Sequence, residues 1–358
     1  MNNAPSSDLR GGDIRLGWNR ALEKEWLALR VSRPCLRVAR LDRGWSTLLV
    51  SPDSTTRVRN IGADVAVGDW VLVDSAGDRI ESVMARGSAF TRRASFAGDR
   101  AEAHTIAANI ETVGLVHALS SPPNQRRLER ELVLAFDSGA QPAIVLTKSD
   151  LVTDAAESVA AVTAVAAGVP VVLASGISGA GLEDLRALVR EFGTMALLGA
   201  SGVGKSTLIN ALVGGTALRT SEVREGDQRG RHTTTACELV ALPRPDPSAI
   251  EAGDLYAWLI DTPGVRAVSL WSSGRGIERA FADVFDLSEA CRFRDCKHED
   301  EPGCAVRAAI DDERLDARRL DAMKRLVAEE LALEEEQRAQ EKLNDRRGVR
   351  KPRPPGPR

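Results

Sequence analysis

Between Cys35 and Arg93 the chain alternates short apolar runs with turn formers. The runs read CLRVARL, WSTLLV, TTRVRNI, DWVLVDS and RIESVMA, and stretches such as SPDS and SAGD separate them. This even spacing of short strands fits a small all-β barrel, and it fits a β-meander propping up its neighbour equally well. From about Ile106 the texture changes to continuous apolar runs that end in polar or glycine-rich turns: TVGLVHAL, AIVLTKSD, VPVVLASG, TMALLGAS, ELVALP and YAWLIDTPG. Helix-period segments lie between several of them, including RRLERELVLAFDSG and GLEDLRALVREFG. Fully apolar strands alternating with helices predict a mostly parallel sheet covered on both faces. In such sheets the working loops sit at the carboxyl ends of the strands.

The remaining segments are less patterned. Residues 1–32 begin polar and turn weakly helical around Ala21–Leu29, with no function legible in them. After about Arg275 comes a cysteine- and histidine-rich stretch, then a charged helix over roughly Asp312–Lys342. The last residues, RRGVRKPRPPGPR, carry six positive charges, four prolines and no acid, which predicts a disordered basic tail. Five regions are therefore expected: an extension (1–32), a β-rich module (33–98), a P-loop domain (99–275), a metal-binding module with its helix (276–342) and the tail (343–358).

Composition narrows the class. At 358 residues and 43% hydrophobic content the chain can build more than one sizeable core, and a formal net charge of −3 leaves nucleic-acid affinity to local basic patches. The amino-terminal MNNAPSSDLRGG has no apolar stretch of the export kind. The most apolar run, Val159–Ala174, is broken by Gly168 and Pro170 and reads as a helix followed by a strand, not a membrane span. Of five cysteines, three lie close together beside a histidine, the pattern of a metal site in a reducing compartment. A soluble cytoplasmic protein is expected, without membrane association and as a monomer.

Gly199, Ala200, Ser201, Gly202, Val203, Gly204, Lys205 and Ser206 fit G-x-x-x-x-G-K-[ST], with Thr207 following. The motif comes after the run TMALL and opens the helical STLINALV, the context a phosphate loop requires. Glycines let backbone N–H groups converge on phosphates, and the helix N-terminus adds its positive dipole end. Lys205 would reach the β- and γ-phosphates and Ser206 would ligate Mg²⁺. Asp261-Thr-Pro-Gly264 ends another apolar run. There Asp261 can hold the Mg²⁺ through water, and Gly264 can offer its N–H to the γ-phosphate. Between them GRHTTT supplies Thr234 as a candidate third Mg²⁺ ligand. His232 beside it could orient water, face phosphate or simply be exposed. Val265 follows the DTPG turn where Ras-like enzymes place a glutamine, so slow intrinsic hydrolysis is expected.

QPAIVLTKSD carries the base chemistry. Asp150 can accept from the N1–H and N2 amine of guanine together, while adenine would leave the carboxylate unpaired; such charge-assisted bonds are worth ~1.5–3 kcal/mol each. Lys148 would lay its stem along the base, with Ser149 between them. Thr147 stands where the usual motif has asparagine, and one hydroxyl cannot reproduce both amide functions, so weaker base affinity or a looser loop is expected. Further on, LASGISGAGLEDL offers a base-edge loop beginning at Ser175 and Gly176. The order is base loop, base-edge loop, phosphate loop, threonine switch, DTPG: a cyclic rotation of the ordinary GTPase order with every internal succession kept. It predicts a circularly permuted GTPase. Because of the rotation, the chain leaving DTPG leads straight into the next module.

That module holds CRFRDCKHEDEPGC. Cys291, Cys296, His298 and Cys304 suit a closed tetrahedral Zn²⁺ site with no open catalytic position. Cys35 and Cys237 lie in strand-like runs and read as ordinary core residues.

The combination resembles the RsgA (YjeQ/EngC) family of ribosome small-subunit-dependent GTPases. The matching stretches are VGDWV (Val67–Val71), RLER (Arg127–Arg130), TKSDL, GASGVGKST, GRHTTT, DTPG and CRFRDCKHEDEPGCAV, reaching from about Cys35 to Arg325. The resemblance implies an OB-fold for the β-rich module, GTP hydrolysis stimulated by the 30S subunit, and a role in late small-subunit maturation. It also implies contacts of both flanking modules with 16S rRNA, to which Arg37, Arg40, Arg57, Arg59, Arg92 and Arg93 are candidates. Competing readings are a P-loop ATPase or kinase, an RNA-binding module with little turnover, and a large-subunit assembly GTPase.

Overall fold

A computed structural model of the protein describes residues 9–93, 103–166, 168–215, 237–242, 257–262 and 274–346. The chain groups into two compact units, Met1–Thr91 with Thr105–Val268 and Arg92–His104 with Ser269–Arg358. The first unit begins with α1 (Arg20–Leu29) and the strands β1 (Leu36–Asp42), β2 (Trp45–Ser51), β3 (Ser54–Arg59), β4 (Trp70–Val73) and β5 (Ile80–Val83). β6 (Ala89–Arg93) and β7 (Ala103–Ala108) pair as a two-stranded ribbon. The α/β part then runs β8 (Thr112–Ala118), α2 (Gln125–Asp137), β9 (Gln141–Thr147), α3 (Ala156–Val165), β10 (Val171–Leu173), α4 (Leu182–Phe192), β11 (Thr194–Gly199), α5 (Lys205–Val213), β12 (Glu238–Leu242) and β13 (Ala257–Asp261).

β10, β9, β8, β11 and β13 lie side by side in parallel, as the continuous apolar runs require, and β12 joins β13 antiparallel. β11 is buried along its whole length because helices cover both faces of the sheet. Val145, Leu197, Leu259, Leu185, Ile209 and Leu212 form part of the core on one side. α4 shows why these helices form where they do. Gly181, at φ 68°, lets the chain turn into it, Glu183 and Asp184 sit in its first turn, and Arg190 sits in its last. Those charges complement the helix dipole at each end.

The β-rich part orders its strands β3-β2-β1-β4-β5. A bridge between Arg59 and Arg79 brings the end of β3 beside the approach to β5, so the meander curls back on itself. Val38, Leu48, Val58, Val65, Val71 and Ile80 fill the space it encloses. β1 also pairs with β12 at Arg40 and Glu238, so one sheet of 11 strands runs from β10 to β3.

The extension, read from the sequence only as weakly helical around Ala21–Leu29, forms α1 there and is built into this unit. Trp18 and Trp26 are buried at 2% and 7% exposure. The Glu23 carboxylate accepts from the N–H groups of Arg10 and Gly11 and from Trp18 Nε1, at 3.0, 2.9 and 2.7 Å. Trp18 meets Trp70 edge-on at 4.9 Å between centroids, a contact worth ~0.5–1.5 kcal/mol beyond its buried area. Arg37 corrects an expectation. It is 1% exposed and donates to Leu16 O, Asn109 O and Thr194 Oγ1, so it fastens the extension, β1 and the α/β sheet together and is not an RNA contact. Arg40, Arg57 and Arg59 are exposed, and the guanidinium carbons of Arg57 and Arg59 lie 5.2 and 5.5 Å from the centre of the Trp45 ring. Cys35 is buried and Cys237 half-buried.

The second unit contains α6 (Gly274–Ala280), α7 (Ala282–Ser288), α8 (Ala305–Asp311) and α9 (Ala317–Arg346). Leu320, Met323 and Leu326 bury the first turns of α9. Arg319 donates to both oxygens of Asp283 and to Ala280 O while its guanidinium covers the Phe281 ring at 4.5 Å. The helix keeps its charged sequence to Arg346. Among the described residues no helix is long and apolar enough to cross a membrane.

Candidate nucleotide site and metal centre

The carboxyl ends of β8, β9, β10, β11 and β13 bring the sequence motifs to one edge of the sheet. The phosphate loop leaves β11 and turns through Gly202 (φ 81°) and Gly204 (φ 100°) into α5. At Gly199 a Cβ would stand 2.6 Å from Val116 O, so only glycine permits this approach to β8. Lys205 Nζ donates to Gly199 O and Ala200 O at 2.9 and 3.1 Å, folding the ammonium back over its own loop. Burial lowers its proton affinity, and the charge of Asp261 works in the opposite direction.

Ser206 Oγ donates to Asp261 Oδ2 at 2.8 Å. Asp261 is 1% exposed, and its Oδ1 has no hydrogen-bond partner among the described residues. Burial pushes its pKa up, against the pull of Ser206 and Lys205. A buried carboxylate oxygen without a partner is costly unless a cation or a donor meets it, and beside a hydroxyl it suits a hard divalent ion. Thr262 Oγ1 donates to Leu197 O at 2.5 Å and pins the end of β13 to β11. Thr234, His232 and Gly264 lie outside the described residues.

At the base end, Lys148 adopts the left-handed conformation (φ 59°, ψ 37°) and turns the chain sharply after β9. Asp150 is exposed, and Ser175 Oγ donates to its Oδ1 at 2.5 Å. The same hydroxyl accepts from the N–H groups of Ile177 and Ser178 at 3.2 and 3.0 Å. The base-edge loop thereby holds the carboxylate in place. Gly176 packs that loop onto α5, where an added Cβ would stand 3.0 Å from Thr207 O. Ser149 Oγ is buried and has no partner among the described residues.

Thr147 is 2% exposed, and its hydroxyl donates to Val203 O in the phosphate loop at 2.5 Å. His117 O lies farther off, at 3.3 Å. A single hydroxyl proton thus ties the base loop to the phosphate loop, a use that its place in the motif did not disclose. His117, at the end of β8, brings Nε2 to 2.8 Å from Glu131 Oε2 on α2, a close approach without hydrogen-bond alignment. Glu131 Oε1 accepts from Arg127 Nε at 2.7 Å.

In the second unit, Cys291, Cys296, His298 and Cys304 bring one ligand atom each to within 4.8 Å of one another. Cys291 Sγ lies 4.0 Å from Cys304 Sγ and 3.7 Å from His298 Nδ1, and Cys304 Sγ lies 3.4 Å from His298 Nδ1. Tetrahedral zinc with ~2.3 Å bonds to sulfur and ~2.1 Å to nitrogen needs about 3.8 Å between sulfurs and about 3.6 Å from sulfur to nitrogen. The donor set fits. Two supports escaped the sequence reading. Glu301 accepts from the N–H groups of Lys297 and Glu299, both at 2.8 Å, and these bonds hold its carboxyl down at about 2. Lys324 donates to His298 O at 3.4 Å from α9. An acid three residues before the last cysteine was the available sign of the first.

A P-loop strand–helix turn, an acid at the neighbouring strand end and a TKSD loop from a strand earlier in the chain define a circularly permuted GTPase. The RsgA GTPase family model matches residues 83–271, and the chain belongs to that family. It is 42% identical to a small ribosomal subunit biogenesis GTPase RsgA of Streptomyces coelicolor, over 82% of this chain and 79% of that protein. A protein of the same name from Methanosarcina acetivorans is 36% identical, over 87% of this chain and 84% of the other. Among solved structures, YjeQ from Thermotoga maritima matches with a TM-score of 0.58 at 23% identity, covering 83% of this chain and 98% of that one. YloQ, described as a circularly permuted GTPase, matches at 0.55 and 22%, covering 84% and 95%. Membership makes the chain a GTP hydrolase.

Proposed function

We propose that this GTPase acts on the small ribosomal subunit late in its maturation, in the cytoplasm and as a monomer, with hydrolysis stimulated by the subunit. The observation that carries the reading is the tie between the two nucleotide loops. Thr147 bonds to Val203 while Ser175 orients Asp150, so the base and phosphate loops form one connected edge. Asp150 selects guanine, and the phosphate-loop N–H groups with Lys205 hold the phosphates. Ser206 and Asp261 hold Mg²⁺, whose charge would offset that developing on the phosphates. Thr234, Gly264 and His232 complete the γ-phosphate side in this reading. Cys291, Cys296, His298 and Cys304 hold a structural Zn²⁺ that folds its module.

The ribosomal relatives support the subunit as partner. The exposed Arg40, Arg57 and Arg59 on the curled β-module, read here as an OB-fold barrel, support contact with 16S rRNA. The three-module division of the chain is part of the same proposal. Co-sedimentation of the full chain with 30S and 50S particles, in GDP and in a non-hydrolysable GTP analogue, tests it, with single-turnover hydrolysis measured alongside. Selective 30S binding in the GTP-like state with faster hydrolysis is expected. Equal binding to both particles, or fast turnover by the free protein, would sink the reading.

A further inference from the structure

Arg127 stands in the first turn of α2, two positions inside a helix capped by Asn124. Glu131, one turn on, is 1% exposed and holds the arginine through Nε at 2.7 Å. Its second oxygen lies 2.8 Å from His117 Nε2, so the histidine backs the carboxylate on the side away from the arginine. The end of β8 that carries His117 belongs to the phosphate edge. Val116 pairs with Gly199, and His117 O lies 3.3 Å from the Thr147 hydroxyl that bonds to Val203.

A guanidinium offers five donors in a rigid fork. Here only Nε is engaged, and the two terminal amines have no partner among the described residues, while the side chain keeps 36% exposure. The charges of Arg127 and Glu131 are also felt at the Lys205 ammonium, after the larger effects of burial and Asp261. A surface pair at i,i+4 accounts for none of this, since it needs neither a buried acid nor a histidine behind it. An arginine anchored at Nε, open at the fork and close to a phosphate loop is arranged to meet an anion.

We propose that Arg127 is a catalytic arginine supplied in cis, held by Glu131 so that its terminal amines contact the outer phosphate oxygens of bound GTP. His117 is a positioning residue behind Glu131. As water bonds to the γ-phosphorus, its proton passing to the phosphate being formed, and the bond to the β–γ bridging oxygen breaks, negative charge moves onto that oxygen and GDP and inorganic phosphate leave. The arginine fork stabilises the charge as it develops. The inference rests on the GTP-binding reading above.

The test uses the full chain, with and without 30S particles. Wild type is measured first, because a protein that neither binds nor hydrolyses GTP defeats the underlying reading and not this residue's role. Arg127→Ala is expected to lose about 100-fold or more in single-turnover rate, toward the range of other arginines of this kind, with GDP affinity held within about threefold. Formation of a GDP–aluminium fluoride complex should fail in the same variant. Arg127→Lys keeps the charge at a part-exposed position and guards against misfolding; it should remain impaired because it lacks the fork. Glu131→Gln should lose roughly tenfold, and adding it to Arg127→Ala should cost nothing more. Hydrolysis by Arg127→Ala within about threefold of wild type would overturn the proposal. So would a loss matched by an equal loss of GDP affinity, which would make the residue structural.

Discussion

The nucleotide edge and the cysteine–histidine knuckle are built by opposite means. The first is a set of loops on a fully covered sheet. Its polar groups answer one another: Thr147 to Val203, Ser175 to Asp150, Ser206 to Asp261. The second has little apolar material of its own. Between Cys291 and Cys304 the chain is mostly half-buried or exposed, and Phe293 is 42% exposed. Its shape depends on backbone bonds to Glu301, on Lys324 and on four ligand atoms that fit one ion. One site is held by its scaffold, and the other offers four ligand atoms where a core would be.

Metal removal should break that comparison most visibly. Structural zinc supplies an apparent ~10–16 kcal/mol in small modules at neutral pH, so chelation or Cys304→Ser should abolish the structure of the knuckle. GDP affinity should stay within about twofold, because the bonds described within the nucleotide edge are all made by residues of the first unit. Circular dichroism with and without chelator, beside GDP titration, checks both halves. A parallel loss of GDP binding would show that the edge is not self-sufficient.

The same contrast explains what could be read in the sequence. The α/β sheet was legible because each strand is a continuous apolar run, and the permuted motif order followed from the strand ends. The cysteine–histidine cluster was legible because its four members lie close together in the chain. Long-range partnerships were not. Arg37 looked like one more surface arginine, yet it bonds to Leu16, Asn109 and Thr194 across three segments. The extension showed only a weak helix because its packing comes from Trp18 on Trp70 and from Glu23 collecting backbone donors, both set by tertiary contact. The recurrence of Trp18, Leu22 and Trp26 at helical spacing was its one readable sign. Thr147 fell between the two cases. Its departure from asparagine was visible, but not its partner on another loop.

Smaller effects test the preorganised site from within. Asp150→Asn replaces two acceptors with one acceptor and a donor, so in the proposed base site guanine loses charge-assisted bonds worth ~1.5–3 kcal/mol each. GDP affinity should fall by about 100-fold. Xanthine, which presents a carbonyl where guanine has its amine, should recover part of the loss. Competition between GDP and XDP measures it, and an unchanged preference would remove Asp150 from the base site.

Thr147→Val keeps the side-chain volume and deletes the hydroxyl that joins the loops. Val203 O then loses its donor, at a cost near 1 kcal/mol, and GDP affinity should fall about fivefold with a faster off-rate. Stopped-flow release of a fluorescent GDP reads this directly. No change would mean that the tie is incidental.

The smallest change concerns packing alone. Gly176→Ala would place a Cβ 3.0 Å from Thr207 O, 3.1 Å from Thr207 C and 3.2 Å from Leu208 N, all backbone atoms in the first turn of α5. Backbone cannot swing away as a flexible side chain would, so the base-edge loop must shift by a few tenths of an ångström or stay strained. Overpacking of this kind costs about 1 kcal/mol or somewhat more. The strain falls on the loop that carries Ser175, so it should loosen the hydrogen bond that orients Asp150. The expected result is a two- to threefold or so weaker GDP affinity with the melting temperature lowered by a few degrees. A variant that melts lower but binds GDP as before would show that Ser175 keeps its aim without the close packing, and that the preorganisation of this edge resides in its hydrogen bonds rather than in its fit against α5.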